Sequence, residues 1–200
     1  PAINDSNYNG DVEFHSTEAE INRTLYDSNL DTKGFSVALG KQLVRDLYAG
    51  ARYRLDSVSE NYVYDSTFVY DPAKGQKYED KDYLSSSITP YLNFDNTDDF
   101  YFPREGVKAG TSLEYAGVGG DSRYLKSTTY GKYFYSLEDL AELDWVFRLK
   151  TQVKVLVDNG EINQGDSLYL GGAKTLRGYK SYAFPSNESG YRTEPYKNLW

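Results

Sequence analysis

A lone histidine, no cysteine and two small groups of carboxylates are what this 200-residue chain offers conventional chemistry. Any Ser-His-acid triad or histidine metal site would have to use His15. That residue sits in a weakly patterned stretch and reads as a polar strand side chain. The lack of cysteine removes disulfides, thiolate nucleophiles and Cys-ligated zinc or iron–sulfur centres together. Glu79, Asp80 and Asp82, with Asp71, make one acidic patch, and Asp98-Asp99 make another. Carboxylate pairs can do acid–base chemistry or hold calcium, but neither group has calcium-loop spacing or a placed partner, so both read as solvated loop charge. Gly119-Gly120 precedes no Lys-Ser/Thr pair and opens no helix, which leaves a phosphate cradle unsupported. No cofactor is implied. One segment stands apart: Gly171-Gly172 followed by Leu176-Arg177-Gly178-Tyr179. Glycines let the backbone bend to aim a guanidinium, and the planar fork of arginine makes bidentate, charge-assisted hydrogen bonds with carboxylate.

The elements that must position these residues are constrained by composition. The 22 Lys and Arg against 30 Asp and Glu give a net charge of −8, without the basic footprint of a nucleic-acid partner. Aromatic residues make up 16%, too many for a solvated disordered chain. Mean hydropathy is −0.69, and the densest apolar stretch, residues 153–157, is broken by Lys154, so no transmembrane helix is expected. A membrane β-barrel stays open, because its alternating strands average out as polar. The start Pro1-Ala2-Ile3 carries neither an initiator methionine nor a leader, which is expected of a processed product or a piece of a longer chain.

Alternation is the strongest pattern. Over residues 142–158, Leu143, Trp145, Phe147, Leu149, Thr151, Val153, Val155 and Val157 share one parity, and the other is largely charged. Period two held this long predicts one strand with an apolar and a polar face. At about 3.3 Å per residue it would run roughly 50 Å, longer than the strands of soluble sandwiches and suited to a tilted barrel strand. Residues 47–56, 107–116, 83–95 and 34–40 repeat the pattern; Pro90 weakens the third of these. Residues 123–136 form a Tyr-rich strand of poorer contrast, and residues 12–26 are the faintest. The expectation is about seven antiparallel strands. Residues 42–46, 95–106 and 137–141 lie at one end as short turns. Residues 27–33, 59–81, 117–122 and 159–195 lie at the other. Outer-membrane barrels keep their long loops outside, which makes the second set extracellular. Tyrosines spread over every strand fit interfacial girdles.

Three motifs in order carry a resemblance. Leu176-Arg177-Gly178-Tyr179 after Gly171-Gly172 resembles the (V/L)-R-G-(F/Y) loop signature of the BamA-type outer-membrane protein assembly factors. Asp95-Asn96 with Pro103 and Gly106 is similar to their D-N-x-x-x-P-x-x-G turn, and Gly119-Gly120-Asp121 leading to Tyr124 and Lys126 has a spacing more like theirs than like that of the two-partner secretion transporters. The motifs cover roughly residues 84–184. The resemblance implies an all-β antiparallel transmembrane barrel of about sixteen strands, of which residues 1–200 are the middle part, the fifth to the eleventh. It implies that the loop 159–195 folds into the lumen, with Arg177 as anchor to inner-wall acids, Gly178 allowing close approach and Tyr179 packing on the wall. Most of those acids would lie on strands beyond this chain; Glu142, Asp144 and Asp158 are local substitutes. POTRA domains and the terminal seam strands are outside the sequence. The implied function is non-enzymatic: folding and inserting β-barrel clients through a lateral seam, in the outer membrane of a Gram-negative bacterium. Implied partners are unfolded outer-membrane protein clients, accessory lipoproteins, the lipid bilayer and lipopolysaccharide. Within the same superfamily a two-partner secretion pore is the nearer rival, and a soluble carbohydrate-binding β-sandwich is the rival from another class.

Overall fold

Alternating sequences pair most readily with their neighbours in the chain, because a short turn brings two complementary faces together at little entropic cost. The structure, a computed structural model, follows that rule throughout. It describes residues 8–138, 144–158, 162–173, 175–180, 182–184, 190–192 and 197–199. Seven long strands run β1 (Tyr8–Asn22), β2 (Tyr26–Val44), β3 (Leu47–Tyr64), β4 (Lys81–Asp95), β5 (Gly106–Ala116), β6 (Tyr124–Ser136) and β7 (Val146–Asp158), and a two-residue β8 (Asn198–Leu199) follows. They form one antiparallel sheet in sequence order. This is a partial barrel wall of the outer-membrane type. No second sheet packs on it among the described residues, which leaves the sandwich without its defining partner layer.

Register sorts the side chains by face. Phe14, Phe35, Leu55, Leu92, Leu149 and Val153 fall on one side, and His15, Arg54, Asp56, Glu114, Lys126 and Lys150 on the other. The apolar side is bare: Phe14 is 81% exposed, Leu39 67% and Leu149 55%. An apolar surface of that extent in water would aggregate; against lipid it is the required outer face. Phe14 and Phe35 sit directly opposite with centroids 6.3 Å apart, and Phe35 reaches Tyr53 at 6.2 Å, an aromatic row along that face.

The turn positions correct two expectations. The first turn is Arg23–Leu25, so residues 27–33 are strand, paired from Asp27 with Asn22 to Lys33 with Ser16. That end of the hairpin is mostly polar, Asp27-Ser28-Asn29 against Glu20-Ile21-Asn22 with Ile21 alone apolar, so alternation is lost where the ladder continues. Likewise β3 runs on to Tyr64, which shortens the loop expected over 59–81. Strand β7 begins at Val146, with 142–143 outside the described residues. At 18 residues β3 measures roughly 60 Å, whereas crossing the hydrocarbon takes about 9–11 residues, so the strands project past the bilayer.

The tyrosines divide. Tyr115, Tyr133 and Tyr135 lie on the exposed outer face, as a girdle requires, but Tyr26, Tyr62, Tyr64 and Tyr78 gather on the inner side at the long-loop end, with Tyr62 stacked on Tyr78 at 5.1 Å and Tyr26 5.5–6.0 Å from the other three. Phe68 and Tyr191 extend this cluster, which ties the β3–β4 loop to residues 190–192.

Gly34 marks where the inner face is tightest. A Cβ there would run into the Asp56 carboxylate and the Leu55 carbonyl, whereas at Gly10 it would meet only a Leu39 methyl at 3.4 Å. In the full protein, Gly34→Ala should lower the temperature at which the folded, faster-migrating gel band is lost, by an amount corresponding to about 1–3 kcal/mol of overpacking, while Gly10→Ala leaves it in place. Equal midpoints for the two variants would refute the β2–β3 register.

Candidate functional site

The inner face at mid-height is a charge network assembled by the dyad pattern. Even-numbered positions of β3 and β5 and odd-numbered positions of β1 point the same way, so His15, Arg54, Asp56 and Glu114 meet. Arg54 Nε lies 3.0 Å from Asp56 Oδ2, and its Nη2 lies 2.9 Å from Glu114 Oε1 across the intervening β4. His15 Nε2 is 2.9 Å from Asp56 Oδ1, and Lys126 Nζ is 3.6 Å from Glu114 Oε2. Arginine suits this position because one guanidinium serves two carboxylates at once. Removing it would leave Asp56 with His15 and Glu114 with Lys126 and Tyr124, and would break the link between the two carboxylates.

On this network sits a segment of the long loop, residues 162–170. Its 3₁₀ turn Gln164–Asp166 buries Gln164 and Asp166. Asp166 Oδ2 accepts from Ser122 Oγ at 2.6 Å; its Oδ1 is 3.3 Å from the Tyr124 hydroxyl and 3.5 Å from Ser85 Oγ. Asn163 Nδ2 donates to Ser122 Oγ at 2.9 Å, and Lys81 Nζ donates to Asn163 Oδ1 at 2.8 Å. The Gly165 amide donates to Glu60 Oε1 at 2.9 Å, and the Tyr62 hydroxyl donates to Gln164 Oε1. Beneath them Leu168, Tyr124, Leu156 and Ala116 form a small apolar cluster flanked by Ile162 and Leu199. Every element from β3 to β7 thus contributes to holding this segment.

Burial pushes the Asp166 carboxyl above its ordinary range, against the opposing pull of the Ser122 hydrogen bond and of Lys126 and Arg54. Geometry agrees with a proton here. The single Tyr124 hydroxyl proton is taken by Glu114 Oε1 at 2.9 Å, and a protonated Asp166 could donate where a carboxylate would only accept.

The motif loop begins where the docked segment ends. Leu170 and Phe184 exchange two backbone hydrogen bonds of 3.0 Å, closing a hairpin whose tip carries Leu176-Arg177-Gly178-Tyr179. Gly171 takes φ 131° with the Lys180 carbonyl against it, so a side chain there is excluded twice over. Gly172 donates its amide to Tyr179 O at 3.0 Å. Gly178 takes φ 90° with open space around it, so here it supplies backbone handedness, and Tyr179 packs edge-on against Phe184 at 5.1 Å within the loop. Arg177 is exposed and bonds to no described residue. Of the local acids considered for it, Asp144 is held by Arg104 at the opposite end of the sheet, Glu142 is outside the described residues, and so is the Asp158 side chain. Arg23 in the first turn donates to the Ala183 carbonyl at 3.3 Å and to that of Tyr182, fixing the return limb.

The turn motif is built around side-chain acceptors. Asn96 Oδ1 takes the Val107 amide at 2.8 Å, Asp95 binds Thr97 and Lys108, and Asp98 Oδ1 takes the amides of Arg104 and Glu105 at 2.9 and 3.1 Å. Those amide bonds hold the Asp98 carboxyl below the usual carboxylate range. Pro103 precedes the bonded Arg104, and Gly106 takes φ 108° with the Asn96 carbonyl 2.7 Å from where a Cβ would stand. The third motif does more than turn the chain: Asp121 binds the Leu84 amide at 2.8 Å, and Ser122 and Tyr124 become partners of Asp166. The acids of the β3–β4 loop act as acceptors too: Asp80 takes the Tyr62 amide at 2.7 Å and Asp71 caps the 3₁₀ turn Pro72–Lys74.

Asp166, Ser122 and Glu60 were not legible as site residues in the sequence. The one signal was the Asn163-Gln164-Gly165-Asp166-Ser167 run, a turn-forming cluster placed directly before Leu168-Tyr169-Leu170.

Since Asp166 binds its proton more tightly when docked than when free, docking is fully favoured below the ordinary carboxyl range and weakens as pH rises through the docked value. Protease nicking within residues 159–170 of the full protein should therefore increase between pH 4 and pH 8. Asp166→Asn should flatten that dependence. Asp166→Ala, which leaves the Ser122 hydroxyl without its acceptor, should cost about 1–3 kcal/mol and raise nicking at every pH. Nicking that is the same in all three proteins would refute the docking.

A family model for the Omp85 superfamily domain matches residues 3–192. The outer membrane protein assembly factor BamA of Nitratidesulfovibrio vulgaris is 28% identical over 189 residues, 90% of this chain. A SAM50-like protein of Drosophila melanogaster is 30% identical over 97 residues, 48% of this chain. The chain spans 22% of the length of each of these relatives. Among solved structures, BamA from Haemophilus ducreyi lacking POTRA domains 1–3 superposes with a TM-score of 0.63 at 19% identity, covering 88% of this chain and 35% of that one. The wall of consecutive antiparallel strands, apolar on one face and ionic on the other, shares the fold of that barrel, and the chain belongs to the Omp85 superfamily.

Proposed function

We propose that this chain is the middle of the barrel of a non-enzymatic insertase that folds β-barrel clients into the outer membrane of a Gram-negative bacterium. The observation that carries this reading is the loop: residues 162–170 are docked on the inner wall immediately before the hairpin that presents Arg177. A pore formed by strands alone would not need a loop of its own pinned to its wall by buried side chains. In the parent barrel Arg177 would reach carboxylates on strands beyond this chain and close the loop against both halves of the wall. Unfolded outer-membrane proteins would be the clients, meeting the barrel at a seam formed by strands outside this sequence. An unpaired strand edge is a template for strand addition, so no covalent step is required. Accessory lipoproteins and a bilayer containing lipopolysaccharide are the remaining proposed partners. The short turns at 45–46 and 96–105 would face the periplasm, and the loops at 65–80 and 159–197 the exterior.

Arg177→Ala in the full protein, reconstituted with a radiolabelled unfolded barrel client, tests the reading. Loss of a charge-assisted hydrogen bond to carboxylate costs about 2 kcal/mol, so the equilibrium constant for loop docking and the rate of client folding should fall roughly thirtyfold. Arg177→Lys should recover only part of it, because an ammonium lacks the planar fork. Client folding at the unmodified rate in Arg177→Ala would refute the proposal.

A further inference from the structure

The inner face is divided by charge along the barrel axis. The network around Glu114 and Asp166 holds acids matched to bases. Six residues along β5 toward the short-turn end, about 20 Å away at strand spacing, the balance changes. There Lys108 of β5 is the direct register partner of Lys132 of β6, and Lys132 is the direct partner of Lys150 of β7. Three lysines stand in one row across three strands. Arg148 lies two residues from Lys150 on the same face and Lys154 lies four, while Lys126 sits on the same face of β6. Lys108 is held by Asp95 and Lys126 by Glu114. Among the described residues, Lys132, Arg148 and Lys150 have no acidic partner.

Like charges directly opposite on a sheet are destabilising. A row of three is kept only where water or an anion relieves it, and elsewhere on this wall relief comes from protein carboxylates. Arg148 and Lys150 are exposed on the inner face, where an anion in the lumen can reach them. The spacing indicates what kind. Same-face positions of β7 repeat at about 7 Å, the same-face repeat of any extended polypeptide, so acids at alternate positions of an extended segment would match Arg148, Lys150 and Lys154 in sequence. A lipid headgroup offers its charge at one point, and its acyl chains would have to leave the apolar outer face for an ionic interior.

We propose that Lys132, Lys150 and Arg148, with Lys108 at the end of the row, form a docking belt at the short-turn mouth of the lumen for an extended, carboxylate-rich polypeptide segment. The belt rests on the register of β5–β7 and on the inner face, and not on the insertase reading: a barrel of any function in this superfamily would carry it.

The test uses the full protein in dodecyl maltoside micelles and a fluorescein-labelled peptide of alternating aspartate and serine, read by fluorescence anisotropy. The expected result is binding at least tenfold tighter than that of the same peptide with asparagine for aspartate, weakening steeply with salt. Lys132→Gln with Lys150→Gln, checked for folding by heat-modifiable mobility, should lose at least tenfold in affinity for the acidic peptide. Zero-length carbodiimide coupling on the unmutated protein should join the peptide to Lys132 or Lys150. Equal affinity for the aspartate and asparagine peptides overturns the proposal. So does competition by phosphatidylglycerol micelles or inorganic phosphate as effective as that by unlabelled acidic peptide, which would make this a phosphate site. If the double variant does not fold, coupling confined to lysines outside the belt overturns it on the native protein alone. Client folding at a normal rate with no peptide binding would sink the belt and leave the insertase reading standing; the reverse result would do the opposite.

Discussion

In hydrocarbon, a backbone N–H or C=O without a partner costs several kcal/mol, so every strand that crosses a bilayer has to spend both of its edges on neighbouring strands. That constraint organises this chain. It selects a ladder in sequence order, because only neighbours joined by short turns can pair without long crossings, and it holds the seven long strands, of 11 to 19 residues, in register except for one irregularity at Gln42/Val44 beside the β2–β3 turn. Once register is fixed, the period of two decides everything about the side chains. Phe14, Phe35 and Leu149 go outward and His15, Asp56 and Lys150 inward with no further choice. A shift by one residue anywhere would put a row of charges into lipid and a row of aromatics into water.

The inner face then inherits a difficulty of its own. Polar groups placed there by parity are partly shielded from water once the loop segment 162–170 lies on them, so the charged ones beneath it need partners on other strands. The solution is a relay: His15 to Asp56, Asp56 to Arg54, Arg54 to Glu114, Glu114 to Tyr124, and Tyr124 beside Asp166. It runs from β1 to β6 and into the loop. The relay is weak as a source of net stability, because buried ion pairs lose much of their attraction to desolvation. Its strength is as a specification: only one register and one loop position satisfy all of its members.

What the sequence revealed follows from the same physics. Strand existence and facing were readable in β3, β5 and β7, where lipid demands strict alternation. Readability failed at residues 27–33 and 59–64, where the strands stand clear of the hydrocarbon and polar and apolar residues no longer sort by parity, so hydrogen bonding continues without a pattern to announce it. The turn motif at Asp95, Asn96, Pro103 and Gly106 was legible because side-chain acceptors and a positive φ restrict residue type locally. Asp166 was not, because its importance arises from Ser122, Tyr124 and Ser85, which lie 42 to 81 residues away. Tyrosine was ambiguous by nature: a ring with an apolar body and a hydroxyl tip suits a membrane interface and an interior cluster equally, and this chain uses it for both.

The two ends of the long loop also differ in kind, and the difference suits a bridge. Its first part is fixed to the wall described here by a buried acid that favours its proton, with hydroxyl and amide partners. Its tip presents a permanently charged arginine on a hairpin stiffened by Gly171, Gly172 and the Arg23 contacts, free of this wall. The buried acid is committed to β4–β6 and, on the proposed reading, the guanidinium is left for carboxylates across the lumen. On the proposed reading that asymmetry couples the halves of the barrel: anything that loosens the Asp166 contacts also moves the base from which Arg177 reaches.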